Sequence, residues 1–260
     1  MNILVVGDVV GKPGRTVITE FCKKKREELN IDAIIVNGEN MSGGSGITKA
    51  AFEELLDSGV DVVTTGDHIW KKTETQRFIN DFPQLVRPAN YPIGSPGNGS
   101  YVFEVKGINK PVGVINLLGR VFMSPMDCPF LAVKRELEKL KRETNIIVVD
   151  FHAEATSEKV AMGWYLDGEV SLVFGTHTHV PTADETVLPK GTAYITDLGM
   201  TGPHDSVIGR DKAIIIERFI TSLPKKYEVA KDDVRLNGAL VSINEQTGKA
   251  LKIERICWKI

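Results

Sequence analysis

The segment Ile-Leu-Val-Val-Gly-Asp, residues 3–8, is a short apolar run that ends in a glycine and a carboxylate. It is too continuously apolar to alternate between a core face and a solvated face, which is typical of a parallel strand covered on both sides. Similar runs occur at residues 33–36, 60–64, 146–149 and 172–174, and amphipathic helical patterns separate several of them. This alternation predicts an α/β fold with a largely parallel sheet.

The other elements are predicted from periodicity and turn residues. Four segments have helical spacing, namely residues 14–29, 48–57, 71–79 and 131–142. Two runs that turn at residues 107–110 are expected to pair as strands, namely 101–105 and 111–117. Four later apolar runs are grouped with the strands, namely 193–196, 213–219, 239–244 and 250–257. The last two are separated by Glu-Gln-Thr-Gly-Lys, which is a good hairpin connector.

Domain organisation is expected to be simple. Residues 81–100 hold several Pro and Gly residues, which break regular structure and predict a loop or a small lobe. We expect residues 1–260 to form one domain on two sheets, with a lobe or lid around residues 81–130. A division into parts of about 120 and 140 residues stays open, although the sequence shows no boundary or linker.

Composition excludes several classes of protein. The 260 residues carry 32 basic and 34 acidic side chains, so there is no general basic field for a nucleic-acid backbone. The three Cys residues are too few and too scattered for a disulfide framework or a CxxC zinc site. No segment reaches the ~18 uninterrupted apolar residues of a membrane span. The first residues lack the basic region of a secretory signal, and we expect a cytoplasmic protein.

The informative polar residues follow the buried runs. Because the carboxyl ends of parallel strands converge on one crevice, residues at these ends are expected to meet there. Glycine precedes four of the five clusters and lets the backbone approach a ligand closely. The clusters contain four of the five histidines, and only His204 lies elsewhere. Their members are Asp8, Glu39, Asn40, Asp67, His68, His152, His177 and His179.

A metal site explains this pattern better than local capping does. A single Asp or His after a strand is often a helix cap or a satisfied polar residue, but five such clusters are hard to explain in that way. Carboxylate, imidazole and amide ligands without thiolate suit Fe, Mn or Zn. Six or seven ligands exceed what one catalytic ion uses. Two ions about 3.5–4 Å apart would accommodate them and would favour displacement at phosphorus.

The same residues resemble a known family, the calcineurin-like metallophosphoesterases, and more narrowly their YmdB-like bacterial subfamily. The resemblance rests on Gly-Asp8, Gly-Glu39-Asn40, Gly-Asp67-His68, His152 and Gly-Thr-His177-Thr-His179. Longer runs also match, including Gly-Asp-Val-Val-Gly-Lys-Pro-Gly-Arg, Arg-Pro-Ala-Asn-Tyr-Pro and Asp-Leu-Gly-Met-Thr-Gly-Pro. These runs extend from residue 7 to residue 203, so the resemblance covers most of the chain.

This resemblance implies a four-layer α/β/β/α sandwich of two mixed sheets and a phosphodiesterase acting on 2′,3′-cyclic nucleotides. It implies two metal ions, with Fe preferred and Mn or Zn as alternatives, and it implies self-association. The first ion would be held by Asp8, Glu39, Asn40 and His179. Glu39 would bridge to a second ion held by Asp67, His152 and His177. A metal-bridging hydroxide would attack phosphorus, and His68 would be the general acid.

Asp67 departs from the family pattern, which has Asn at this position. A third carboxylate should hold metal more tightly and weaken the Lewis acidity of the ions. Two other hypotheses stay open. One, which Asp67 favours, is a metal-dependent nucleotide-binding regulator with little turnover. The other is a dinuclear hydrolase of amides or esters, which fits the ligands but not the longer matching runs.

Several nearby residues have two interpretations. Lys12 and Arg15 lie near a helix start, where they would bind phosphate or simply be solvated. Glu154 would contact a ligand or substrate, or act as a local cap. Trp70 and Tyr91 would stack on a base or pack in the core. Asp150 is expected to orient a ligand histidine through its second nitrogen.

Overall fold

The computed structural model describes residues 1–108 and 110–260. Its α-helices are α1 (Gly11–Lys25), α2 (Lys49–Asp57), α3 (Thr75–Phe78), α4 (Pro129–Leu140), α5 (Thr156–Tyr165) and α6 (Lys212–Thr221). A 3₁₀ helix covers Ile79–Asp81. The strands are β1 (Asn2–Val6), β2 (Asp8–Val9), β3 (Ala33–Asn37), β4 (Val62–Thr64), β5 (Leu85–Val86), β6 (Ser100–Glu104), β7 (Pro111–Leu118), β8 (Ile147–His152), β9 (Leu172–Thr176), β10 (Thr186–Val187), β11 (Ala193–Ile195), β12 (Met200–Pro203), β13 (Val234–Ile243) and β14 (Ala250–Lys259).

The strands form two mixed sheets. In the first sheet the order is β2-β12-β13-β1-β3-β4-β5, and β14 pairs with β13. Here β1, β3, β4 and β5 run parallel, whereas β13 is antiparallel to β1. In the second sheet the order is β10-β11-β9-β8-β7-β6, with parallel β7, β8, β9 and β11 between two antiparallel outer strands.

Three apolar cores separate four layers. Between the sheets, Val5 and Ile35 of the first sheet share one cluster with Val148 and Phe174 of the second. The outer face of the first sheet is covered mainly by α1 and α2, whose apolar residues join its strands in another cluster. On the outer face of the second sheet, α4 and α5 pack in the same way. The predicted α/β/β/α sandwich of two mixed sheets is confirmed.

Some sequence expectations need correction. The 213–219 run does not form a strand but belongs to α6, because the Asp211 carboxylate accepts a hydrogen bond from the Ile214 N–H (3.0 Å) and begins a helix. The helix predicted at 71–79 is reduced to α3 and the following 3₁₀ turn. The turn predicted at 107–110 includes residue 109, which lies outside the described residues.

Thr48 caps α2, since its hydroxyl accepts a hydrogen bond from the Ala51 N–H (3.4 Å). Among the described residues, no helix is long and apolar enough to span a membrane.

The inter-sheet core yields a stability prediction. Phe174 is 0% exposed between the sheets, so Phe174→Ala should lower the free energy of unfolding by about 3–5 kcal/mol through lost burial and a residual cavity. Guanidinium denaturation measures this change. The matched control is Phe122→Ala, since Phe122 is 90% exposed and should change stability by less than about 0.5 kcal/mol. Equal losses in both variants would contradict the packing between the sheets.

Candidate metal centre

The ends of five parallel strands bring all eight sequence-predicted residues together. The clusters follow β1, β3, β4 and β9, and the fifth is the last residue of β8. Half of the members are buried although they are polar or charged. The eight residues are Asp8, Glu39, Asn40, Asp67, His68, His152, His177 and His179. His204 lies outside this centre, where its Nε2 contacts the Asn237 amide nitrogen (3.2 Å).

One half of the centre contains Glu39, Asp67, His152 and His177. Each contributes an oxygen or nitrogen, and these atoms lie within 4.8 Å of one another. The His152 Nε2 is 3.3 Å from both the Glu39 Oε2 and the Asp67 Oδ1. The His177 Nδ1 is 3.0 Å from the same His152 nitrogen. Two imidazole nitrogens and two carboxylates converging on one point form a donor set that suits Fe, Mn or Zn.

The other half contains Asp8, Asn40 and His179. The Asn40 Nδ2 lies 3.1 Å from the His179 Nε2 and donates a hydrogen bond to the Glu39 Oε1 (2.9 Å). The His179 Nε2 is 3.9 Å from the Asp8 Oδ1. Glu39 therefore contacts both halves, one through each carboxylate oxygen.

Three histidines of the centre, His152, His177 and His179, each have one ring nitrogen in contact with a group outside the eight residues. Such contacts fix the ring orientation and select which nitrogen remains free, as is typical around metal ions. The free nitrogens are the ones that face the carboxylates. The contacts are His152 Nδ1 to Thr176 Oγ1 (2.9 Å), His177 Nε2 to Glu154 Oε2 (3.1 Å) and His179 Nδ1 to the Ile208 carbonyl (3.0 Å). The expectation that Glu154 contacts a ligand histidine therefore agrees with the geometry.

A buried polar network around Asp150 connects the two sheets next to the centre. Asp150 accepts hydrogen bonds from the Asn37 amide (2.9 Å) and the Thr64 hydroxyl in the first sheet, and from the Thr176 hydroxyl (2.7 Å) in the second. Contrary to the sequence expectation, Asp150 does not bind a histidine nitrogen directly. It acts through Thr176, because the register of β8 and β9 pairs His152 with Thr176. Burial raises the pKa of Asp150 to about 7 despite these bonds.

The electrostatics of the protein alone are unfavourable here. Burial, assisted by the nearby Asp197 charge, raises the pKa of Asp8 to about 7. Burial and the charges of Asp67 and Asp8 raise the pKa of Glu39 well above its usual value. The Asp8 Oδ1 is also buried and has no hydrogen-bond partner among the described residues. Since buried polar atoms are normally paired, this orphaned oxygen and the mutual repulsion fit a centre that binds cations.

Two other groups have pKa values shifted the opposite way. Burial lowers the pKa of His152 to about 3, which keeps this imidazole neutral and able to ligate. Burial alone would raise the pKa of Asp67. Its contact with the His152 ring and the electrostatic effect of His68 and His177 outweigh burial, and the net pKa of Asp67 is lowered.

The loop that carries His177 and His179 is held by a buried ion pair. Both histidines have positive φ angles, 103° and 64°, which are unusual for residues other than glycine. Between them, the Thr178 N–H donates a hydrogen bond to Asp197 (3.2 Å). Lys159 lies 2.5 Å from the same carboxylate, and both members of the pair are 1% exposed. The pair therefore stabilises a strained backbone at the centre.

Glycine at position 66 is required by the close packing of the centre. A Cβ atom there would lie 2.3 Å from the His152 Cδ2 and 2.4 Å from the Glu39 Oε2. Any larger residue would push apart the side chains of His152 and Glu39, which lie in the same half of the centre.

A cavity of about 510 Å³ opens from the centre. The rest of its wall includes six residues that the sequence did not single out as site residues, and only Ile215 and Phe219 of these lie in the apolar run now seen in α6. The six residues are Val207, Ile208, Arg210, Ile215, Phe219 and Tyr227.

Other candidates lie away from this cavity. Lys12 and Arg15 line a separate cavity, and Arg15 is bound to Glu54 (2.7 Å), so the phosphate interpretation is not supported for Arg15. Trp70 and Tyr91 pack edge to face with ring centres 6.1 Å apart, against the core between α1, α2 and the first sheet. Core packing, rather than base stacking, is therefore the better interpretation of this pair.

Comparison with known proteins agrees with this geometry. The profile of the YmdB-like protein family matches residues 4–256. A 2′,3′-cyclic-nucleotide 2′-phosphodiesterase of Bacillus subtilis (strain 168) is 50% identical, with 98% of this chain and 96% of that protein covered. A crystal structure of a hypothetical protein from Thermus thermophilus has a TM-score of 0.92 and 39% identity, and covers 100% of this chain and 99% of its own. The crystal structure of a phosphatase from Mycoplasma pneumoniae has a TM-score of 0.91 and 38% identity, covering 100% and 93%. The chain therefore belongs to the YmdB-like family.

Proposed function

We propose that the protein is a metal-dependent phosphodiesterase that hydrolyses 2′,3′-cyclic nucleotides. The observation that carries the proposal is the two-sided centre, in which Glu39 contacts both groups of ligand-type residues. The named activity of the Bacillus subtilis relative, 50% identical over nearly the whole chain, supports the substrate class.

Two metal ions would occupy this centre. Asp8, Glu39, Asn40 and His179 would hold the first ion. Glu39 would extend to a second ion held by the remaining three ligands, Asp67, His152 and His177. The mixed oxygen and nitrogen donors suit Fe, Mn or Zn, and we propose Fe on the basis of the family resemblance. When bound, the ions would supply Lewis acidity that neutralises the phosphate and lowers the pKa of the attacking water.

His68 would act as the general acid. Its Nδ1 is 2.8 Å from the Asn40 Oδ1, so the assigned hydrogen bond fixes the ring and leaves Nε2 for the substrate. A water oxygen would attack phosphorus opposite O2′ and release one of its protons to solvent, and the bond between phosphorus and O2′ would break. His68 would donate its Nε2 proton to O2′, which gives the 3′-phosphate. Asn40 thus has two contacts, one toward Glu39 and one that orients the acid.

A binding-only regulator is not favoured, because the relatives are named as a phosphodiesterase and a phosphatase. We further propose one domain over residues 1–260, since the inter-sheet core draws on both halves of the chain. We also propose that the protein is bacterial and cytoplasmic and that it self-associates. These proposals rest on composition and on the family resemblance.

Metal content tests the centre directly. Freshly purified protein, supplemented with metal and desalted, should contain roughly two ions per chain by elemental analysis. His179→Ala and His177→Ala should each lower this content by about one ion, because each removes a ligand from a different half. His204→Ala is the matched control, since His204 lies outside the centre. Fewer than one ion per chain in the wild type would contradict a dinuclear centre.

Removal of the proposed acid should affect turnover rather than metal content. His68→Ala should lower kcat for 2′,3′-cAMP by about 10²–10⁴-fold, because the leaving O2′ loses its proton donor. Steady-state kinetics and elemental analysis of the same preparation measure both properties, with His204→Ala again as control. Unchanged turnover at unchanged metal content would rule out this role for His68.

The third carboxylate should limit catalysis by the loaded enzyme. Asp67→Asn removes one negative charge beside His152 and His177, so metal should bind more weakly and kcat at saturating metal should rise. Metal titration of the apoprotein and kinetics in excess metal measure the two effects separately. A fall in kcat at full metal occupancy would show that the Asp67 charge assists the reaction.

A further inference from the structure

The cavity that opens from the metal centre is lined by two chemically different sets of residues. One set belongs to the centre and includes Glu39, His68 and His177. The rest of the wall includes Ile208, which is 53% exposed and whose carbonyl contacts His179 (3.0 Å), and Phe219, which is 82% exposed. The volume of about 510 Å³ lies within the range of about 300–1,000 Å³ that is usual for small-ligand sites.

We propose that this apolar wall binds the nucleobase of the substrate, and that Phe219 is the stacking platform. The inference rests on the proposed phosphodiesterase function, because it requires phosphorus to lie at the metal centre. A cyclic nucleotide placed in this way must direct its base either into solvent or along the cavity that leaves the centre. Phe219 lines that cavity together with the residues of the centre.

Phe219 lies on α6, most of whose residues are exposed. Of the residues in α6, only Ile215 is buried, so the helix contributes little to the core. Among the described residues, no aromatic or cationic partner stacks on the Phe219 ring. Tyr227, in contrast, has the Arg218 guanidinium 4.8 Å from its ring centre and Arg210 at 5.8 Å. Phe219 is therefore the ring in this wall whose face remains available to a planar base.

Arg210 has a different task. Its guanidinium donates hydrogen bonds to the carbonyl groups of Gly43 (3.0 Å) and Gly44. It thus links the loop after Glu39 and Asn40 to the wall of the cavity. The side chains of Ile208, Ile215 and Phe219 have no hydrogen-bonding groups. Their contribution to base binding should therefore depend on ring area rather than on base identity.

This arrangement predicts a base-dependent effect of Phe219→Ala. Base–aromatic stacking contributes about 1–3 kcal/mol, so the ratio of kcat/KM for 2′,3′-cAMP to that for ribose 2′,3′-cyclic phosphate should fall by roughly 5- to 150-fold. Phe219→Trp should restore most of the ratio. The loss should appear mainly in KM, because stacking is the same in the ground state and the transition state.

Ile220→Ala is the matched control. Ile220 is 78% exposed on the same helix but does not line the cavity, so this variant should leave the ratio unchanged. Sizing chromatography of each variant tests the alternative that a second copy of the chain, rather than a nucleobase, covers this surface. An unchanged ratio in Phe219→Ala, or an equal loss in Ile220→Ala together with a change in oligomeric state, would overturn the inference. If the wild type hydrolyses neither substrate, the proposed function itself fails, and the inference falls with it.

Discussion

The repulsion among three carboxylates, of which Asp8 and Glu39 are buried, is the constraint on which the centre depends. Asp8 and Glu39 are almost completely buried, and their pKa values are raised by burial and by neighbouring negative charge. Within the described chain, Lys159 is the fully buried basic side chain, but it is bound to Asp197 beneath the histidine loop. Neutralising charge must therefore come from outside the protein. The same side chains that destabilise the metal-free protein are those that give it affinity for cations.

The two sheets are coupled at the point where this charge is concentrated. Asp150 is hydrogen-bonded to Asn37 and Thr64 from one sheet and to Thr176 from the other. Thr176 then contacts the His152 Nδ1. A shift of one sheet against the other would therefore move a ligand histidine relative to Glu39. The apolar core between the sheets resists such a shift. It therefore helps to keep the ligand side chains of the two sheets in position relative to one another.

Much of the centre could be predicted from sequence because its residues are marked locally. A buried run followed by glycine and a polar residue places that residue at the end of a strand, and parallel strands end at one edge. What could not be predicted depends on contacts between distant segments. The path from Asp150 to His152 requires the register of two strands, and the binding of Arg15 to Glu54 requires the packing of α1 against α2. The 213–219 run was misleading for a physical reason. Continuous apolar residues usually indicate a buried strand, whereas here most of them lie exposed on a surface helix.

Phe219, in the exposed run of α6, lines the same cavity as residues of the metal centre. The ligand histidines of the centre are each oriented through one ring nitrogen, and their loop is anchored by a buried ion pair. Such a site defines the reacting group closely but contacts little of the rest of a nucleotide. The wall of the cavity has the opposite properties, because Phe219 and Ile208 are exposed and apolar. Reaction type would then be set by the fixed polar end, and substrate size by the open apolar end. A sequence change in α6 could therefore alter which cyclic nucleotides are bound without disturbing the residues that hold the metal.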